Sequence, residues 1–289
     1  VSRAESPGSA GPSRPDDLPA EPDVLAPTGF DAWPGCDVHV EWGVTGAALA
    51  AARGDAIVVV DVLSFSTTLA IAVARGFTCL VYSGAEIAEM GGPEAAARRL
   101  AARPLSKQRR VPPGELSLSP GSLLRADPDQ RVLFTSLNGA SVAAASASAP
   151  ALLVSGLRNA AASARTARAL LTSGAARRIT VVACGEQWNS VEPGVSGLRP
   201  AVEDWQGAGL LCRRLGEAGL SLSAEAALAA GAWESPDALL DCVSARELVA
   251  AGFAEDVELG MKVDVSDVVA VRDNTEPSGR AFMGRRSPG

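Results

Sequence analysis

Residues 57–68, IVVVDVLSFSTT, decide how this chain reads. Ile57 to Val60 form a short apolar run of the kind that fills a strand buried on both faces, and such strands belong to parallel sheets covered by helices. Asp61 then falls at the carboxyl end of the strand, ahead of four hydroxyl side chains (Ser64, Ser66, Thr67 and Thr68) and a helix-like AIAVA stretch. Open α/β sheets bind their ligands at that edge. The first turn of a helix carries unpaired N–H groups and a partial positive charge. Ser66, Thr67 and Thr68 are therefore candidate phosphate contacts, and Asp61 a candidate cation ligand. The same residues also suit a plain strand end and helix cap, and no standard phosphate-loop pattern separates the two.

Outward from this stretch the pattern repeats. Before it, His39 to Trp42 alternate polar and apolar and predict an edge strand, followed by a small-residue helix over 45–53. After it, Arg75-Gly76 ends the first helix and Phe77 to Tyr82 predicts a second strand. Residues 85–102 are helical in composition, interrupted at Gly91-Gly92-Pro93, where proline suits a new helical first turn. A long irregular connection over 103–128 allows a division into two subdomains near 103–130, and loops of that length inside a compact domain are often functional. Further strands are expected at 131–135, 151–154 and 178–184, each running into a polar turn: Thr135 to Ala140, Ser155 to Asn159, and Cys184-Gly185-Glu186. Parallel strands deliver such turns to one edge of a sheet. After a turn-rich insertion over 187–200, Glu203 and Asp204 open a helix, where the helix dipole favours acids. With Asp61 they also meet the preference of Mg²⁺ for one or two carboxylates plus water and phosphate oxygens. Helices fill most of 223–251, and 267–271 predicts a last strand.

The fold class that follows is α/β, a mostly parallel sheet with helices on both faces, built from successive strand-turn-helix units over residues 35–272. Residues 1–34, dense in Pro, Gly, Ser and Asp, are expected to form a disordered leader, and residues 273–289 a flexible tail.

Composition limits the function classes. A net charge of −7 with no basic block argues against a nucleic-acid surface. No apolar run has membrane-spanning length and no secretory signal pattern opens the chain. Five widely spaced cysteines without a CxxC pair fit a reducing, cytoplasmic setting. His39 is the sole histidine, which excludes mechanisms that need several imidazoles. Cys184 reads as a nucleophile or, more simply, as a buried core thiol.

Taken in order, DVLSFSTT (61–68), SLSP (117–120), TSLNGA (135–140), GLRNA (156–160), ACGE (183–186) and AVEDWQGAG (201–209) resemble the 2-phosphosulfolactate phosphatase family over roughly residues 38–256. The resemblance implies a magnesium-dependent hydrolase of coenzyme M biosynthesis that removes phosphate from a sulfonated hydroxy acid, with an α/β fold. It departs where the family has a Gly-Glu-Arg element and then Gly-Asn-Ser-Pro: this chain has LSKQRR at 105–110, and Leu118 in place of the asparagine. On this basis Asp61, Glu203 and Asp204 are expected to hold Mg²⁺, with Asp61 alternatively the nucleophile and Glu186 an acid or base. Ser64, Ser66, Thr67, Thr68, Ser119, Ser136, Asn138, Gly139, Arg158 and Asn159 are expected to bind a small phosphorylated anion. Arg158 would pair its planar fork with a carboxylate or sulfonate. The same scaffold acting on another phosphate ester, or serving as a non-catalytic binding protein, fits the motifs as well, and homo-oligomerisation is left open.

Overall fold

The computed structural model describes residues 36–112, 114–128 and 130–288, and all of them fall in one compact unit that includes the 103–130 connection. The expected leader, residues 1–34, lies outside the described residues. In chain order the first half contains β1 (Val38–Trp42), α1 (Gly43–Ala52), β2 (Ala56–Val60), α2 (Phe65–Ala74), β3 (Thr78–Val81), α3 (Gly84–Glu89) and α4 (Pro93–Arg99). Then come β4 (Arg103–Pro104), α5 (Pro120–Leu124), β5 (Arg131–Phe134), α6 (Gly139–Ala145), β6 (Leu152–Ser155), α7 (Ala160–Thr172) and β7 (Ile179–Ala183). A small hairpin of β8 (Glu186–Gln187) and β9 (Leu198–Arg199) precedes α8 (Val202–Glu217), α9 (Ala224–Ala232), α10 (Val243–Ala250) and α11 (Ala254–Gly260). The strands β10 (Val268–Arg272) and β11 (Ala281–Arg286) close the chain.

Nine strands form one sheet in the order β1-β7-β2-β6-β10-β11-β3-β5-β4. The central strand β2 shows why it sits there. Ala56, Val58 and Val60 pack into one core with α7 and α8, while Ile57 and Val59 pack into a second with α1, α2 and α6. A strand with no polar side is stable only between two helical layers. The two layers meet this demand from opposite sides.

The sheet is mixed. β1, β7, β2 and β6 pair in parallel, and so do β3, β5 and β4. Between the two sets lie β10 and β11, each antiparallel to its neighbours. β11 corrects the expectation of a flexible tail: Ala281 and Phe282 are buried and pair with Leu80 and Cys79 of β3. Its Gly-Arg-Arg ending carries little local strand signal. Burial against β3 and β10, contacts far away in sequence, makes it a strand.

At the amino end of β2, Asp55 is 1% exposed and accepts from Arg53 (3.1 Å), Arg178 (3.0 Å) and the Thr180 hydroxyl (2.9 Å). This ties β2 to β7 at the edge opposite Asp61. Removing one partner of a buried ion pair strands the others, so Asp55→Ala should cost about 3 kcal/mol in chemical denaturation. A change below about 0.5 kcal/mol would show the cluster to be decorative.

Candidate active site

Asp61 is delivered by the end of β2 and is 7% exposed. Its backbone and side chain are both engaged. The Asp61 N–H donates to Ser66 Oγ at 2.9 Å, and its carbonyl accepts from Ser66 N–H at 2.8 Å. Oδ1 accepts from Phe65 N–H (3.2 Å), and Oδ2 accepts from Gly139 N–H at the start of α6 (3.0 Å). Gly139 has no room for a side chain: a Cβ there would lie 2.2 Å from Phe65 Cδ1 and 2.9 Å from Asp61 Oδ2. The glycine of TSLNGA is thus a close-approach residue that lets the turn after β5 reach the turn after β2. By pairing, β5 runs opposite to β2. Five pairings lie between them; at about 20–25° of twist each, the accumulated rotation turns β5 well away from that opposed direction.

A cavity of ≈ 260 Å³ opens above Asp61. Glu186, at the start of β8, lines it and accepts from Asn138 Nδ2 at 2.9 Å. Three strand-end turns, after β2, β5 and β7, therefore meet at one cavity. The fourth, after β6, does not. Arg158 turns its guanidinium to the Leu259 carbonyl (2.7 Å), and Asn159 accepts from Gly156 N–H and donates to the Val268 carbonyl. A helix-start arginine can satisfy a neighbouring helix's carbonyls as well as a ligand, and here it does the former.

The hydroxyls divide in the same way. Thr67 donates to the Val62 carbonyl and Thr68 to that of Leu118; Ser66 bonds Asp61 as described, and Ser119 donates to Asp256 Oδ1. Of these four, Thr68 lines the cavity. Ser64 and Ser136 also line it, and each accepts a single bond, from Arg109 and Ala140 N–H respectively. Among the described residues their own O–H groups have no acceptor, so both can donate into the cavity. Thr135 and Asn138 line the same space, and among the described residues Thr135 Oγ1 and Asn138 Oδ1 are buried without a partner. Buried polar atoms are otherwise almost always satisfied, so such orphans mark a place for a ligand or water.

The expected metal set does not assemble there. Asp204 Oδ1 accepts from Val62 N–H and Oδ2 from Gly185 N–H, both at 2.8 Å. Glu203 accepts from the Ser244 hydroxyl of α10. Neither lines the cavity, and among the described residues no group of three or more His, Cys, Asp or Glu side chains could hold a metal ion. The carboxylate that faces the cavity with Asp61 is Glu186. Two cations join them from the 103–118 connection, Lys107 and Arg109, which residue-by-residue reading passed over. Arg109 donates to Asp256 Oδ2 at 2.7 Å and to Ser64 Oγ at 2.8 Å. The signal in the sequence was the basic run LSKQRR within an otherwise irregular loop.

Electrostatics follow from this crowding. Burial, reinforced by the charge on Glu186, pushes the Asp61 carboxyl up to about 7, against the pull of its two N–H donors. Burial raises Glu186 as well, and the bond from Asn138 opposes it. Burial and then the charge of Asp61 hold Asp204 well above the usual carboxylate range. Cys184 is pushed well up by burial and by Asp61, Asp204 and Glu186. It is a core thiol, not a ready thiolate.

At the strand ends of this α/β protein, two carboxylates, two cations and free hydroxyl donors thus share one small cavity. A family model described as 2-phosphosulpholactate phosphatase matches residues 46–275, and the chain belongs to that family. No curated protein matches the chain. Among the described residues, no helix is long and apolar enough to cross a membrane.

Asp61 provides a pH test of the site. Its folded pKa lies above the ordinary value of about 4, so between these limits the native state binds more protons than the unfolded one. The stability it contributes is complete at acid pH and is lost as pH rises through about 7, with a slope of up to about 1.4 kcal/mol per pH unit. Protein free of divalent cations should therefore be less stable at pH 8 than at pH 5, and Glu186→Gln should flatten this loss. An unchanged slope in that variant would show that the two carboxylates do not interact.

Proposed function

We propose that this chain is a Mg²⁺-dependent phosphoric monoester hydrolase whose substrate is the phosphate ester of a small organic acid. 2-Phosphosulfolactate, yielding sulfolactate and phosphate, is the substrate its family points to. The observation that carries the reading is the placement of Asp61 and Glu186 on one ≈ 260 Å³ cavity with Lys107, Arg109 and the Ser64 and Ser136 hydroxyls.

Asp61 and Glu186 fit Mg²⁺ better than the set of Asp61, Glu203 and Asp204. Their mutual repulsion is what a divalent cation offsets, and Mg²⁺ is held through one or two carboxylates together with water and phosphate oxygens. When bound, the ion would draw charge from the phosphoryl oxygens and acidify bound water. The chain's own groups do the rest. Phe65 and Gly139 N–H fix the orientation of the Asp61 carboxylate. Ser64 and Ser136 O–H donate to phosphoryl oxygens, as fixed dipoles that need no reorganisation. Hydrolysis breaks the bond from phosphorus to the ester oxygen and forms one to the oxygen of water. Glu186 takes the proton from that water and returns one to the leaving oxygen. Asp204 and Glu203 support the site from behind, by holding the turns that carry Val62 and Gly185 and by bonding α10.

One observation favours a second reading. Leu118, at the position where the family pattern has asparagine, lines the cavity with an apolar side chain. The same chemistry on a different small phosphate ester accounts for that change.

Phosphate release from 2-phosphosulfolactate and from a panel of phosphorylated acids distinguishes these readings. We expect release with Mg²⁺, loss with chelator and recovery on adding the ion back. Glu186→Gln should lower kcat by about 10²-fold or more. Turnover of another ester but not of 2-phosphosulfolactate selects the second reading, and failure to release phosphate from any ester would sink both.

A further inference from the structure

Lys107 is one of two lysines in a chain that otherwise uses arginine for its cations, and it lines the cavity. Its neighbour Arg109 is committed on both arms, to Asp256 and Ser64, and the buried Asp256 carboxylate balances its charge. Lys107 is different. Among the described residues its ammonium has neither an ion-pair nor a hydrogen-bond partner.

The backbone that carries it is nevertheless pinned. Ser106 N–H donates to the Leu116 carbonyl (2.9 Å), Leu118 N–H donates to the Ser106 carbonyl (3.0 Å), and Gln108 N–H donates to Ser106 Oγ (3.1 Å). Leu105 N–H donates to the Leu133 carbonyl, continuing the parallel pairing of β4 with β5. That register sets Ser106 beside Thr135 and Lys107 beside Ser136; Lys107 and Thr135 both line the cavity, and Thr135 is 5% exposed with a hydroxyl that has no partner among the described residues. An exposed ammonium on an anchored backbone, sharing a cavity with a buried hydroxyl that has no partner among the described residues, offers an anion a place apart from the carboxylates Asp61 and Glu186.

We propose that Lys107, together with Thr135 Oγ1, is the specificity-determining subsite for the second acidic group of the substrate, the sulfonate or carboxylate that accompanies the phosphate. The inference rests on the phosphatase reading and deepens it. The phosphoryl group lies towards Asp61 and Glu186, and the remote acid lies towards the 103–118 connection. Lysine supplies a point charge with three rotatable donors, which suits a sulfonate or carboxylate without fixing which.

The test compares the wild type with Lys107→Met, which keeps the stem and removes the charge, and with Lys107→Arg, which restores charge. Substrates are 2-phosphosulfolactate, 2-phospholactate (carboxylate only) and ethyl phosphate (no second acid). One charge-assisted bond predicts that Lys107→Met lowers the ratio of kcat/KM for the acid-bearing esters over ethyl phosphate about 10- to 100-fold, mainly through KM, with partial recovery in Lys107→Arg. A ratio that falls for 2-phosphosulfolactate alone assigns the sulfonate; one that falls equally for 2-phospholactate assigns the carboxylate. An unchanged ratio overturns the proposal. Calorimetric binding of sulfolactate, which carries the acid but no ester, separates this from failure of the phosphatase reading. If no ester is hydrolysed, sulfolactate binding weakened at least tenfold in Lys107→Met upholds the subsite. Equal binding, or none in either protein, overturns it.

Discussion

Two buried aspartates hold the strand-end turns together, and everything at the cavity depends on that. Asp204 accepts one backbone N–H from the turn after β2 and one from the turn after β7. Asp61 accepts one from its own turn and one from the turn after β5. Three loops from distant parts of the chain are thereby fixed to one another through four charge-to-amide bonds. Such bonds are stronger than neutral ones, which is what lets carboxylates survive burial there. The cost appears as the raised pKa of both groups.

The arrangement divides labour between acids of the same kind. Asp204 spends both oxygens on the backbone, with Glu203 bonded to a helix beside it. Asp61 shares its outer lone pairs with the cavity, and Glu186 is held by one amide from Asn138. Burial raises the pKa of both Asp61 and Glu186 against the donors each has. The cations arrive on the 103–118 connection, where Arg109 reaches Ser64 in the turn after β2. Arg109 is tied to α11 through Asp256, so the loop is docked and not merely draped.

Much of this was legible in the residues. The IVVV run required two helical layers, and Asp61 at its end required a polar neighbour. Gly139 in TSLNGA and Glu186 in ACGE fell on turns that do meet Asp61. Ser66 and Thr67 looked like ligand contacts because hydroxyls at a helix start are equally good caps, and local sequence does not distinguish the two uses. Arg158 illustrates the same ambiguity, since its partner, the Leu259 carbonyl, is a hundred residues away. Lys107 and Arg109 were hidden because a loop has no periodicity from which to infer a facing direction.

The sequence by itself determined the element types, the buried parallel strands and the family, because alternation, caps and motifs are short-range and each is written within a dozen residues. Only the tertiary structure decided that β11 enters the sheet, that the turn after β6 stays away from the cavity, and that Asp204 serves the backbone while Glu186 faces the ligand space. Those outcomes depend on which distant N–H or carbonyl lies within 3 Å of a given side chain, a distance set by strand order and sheet twist that no local stretch encodes.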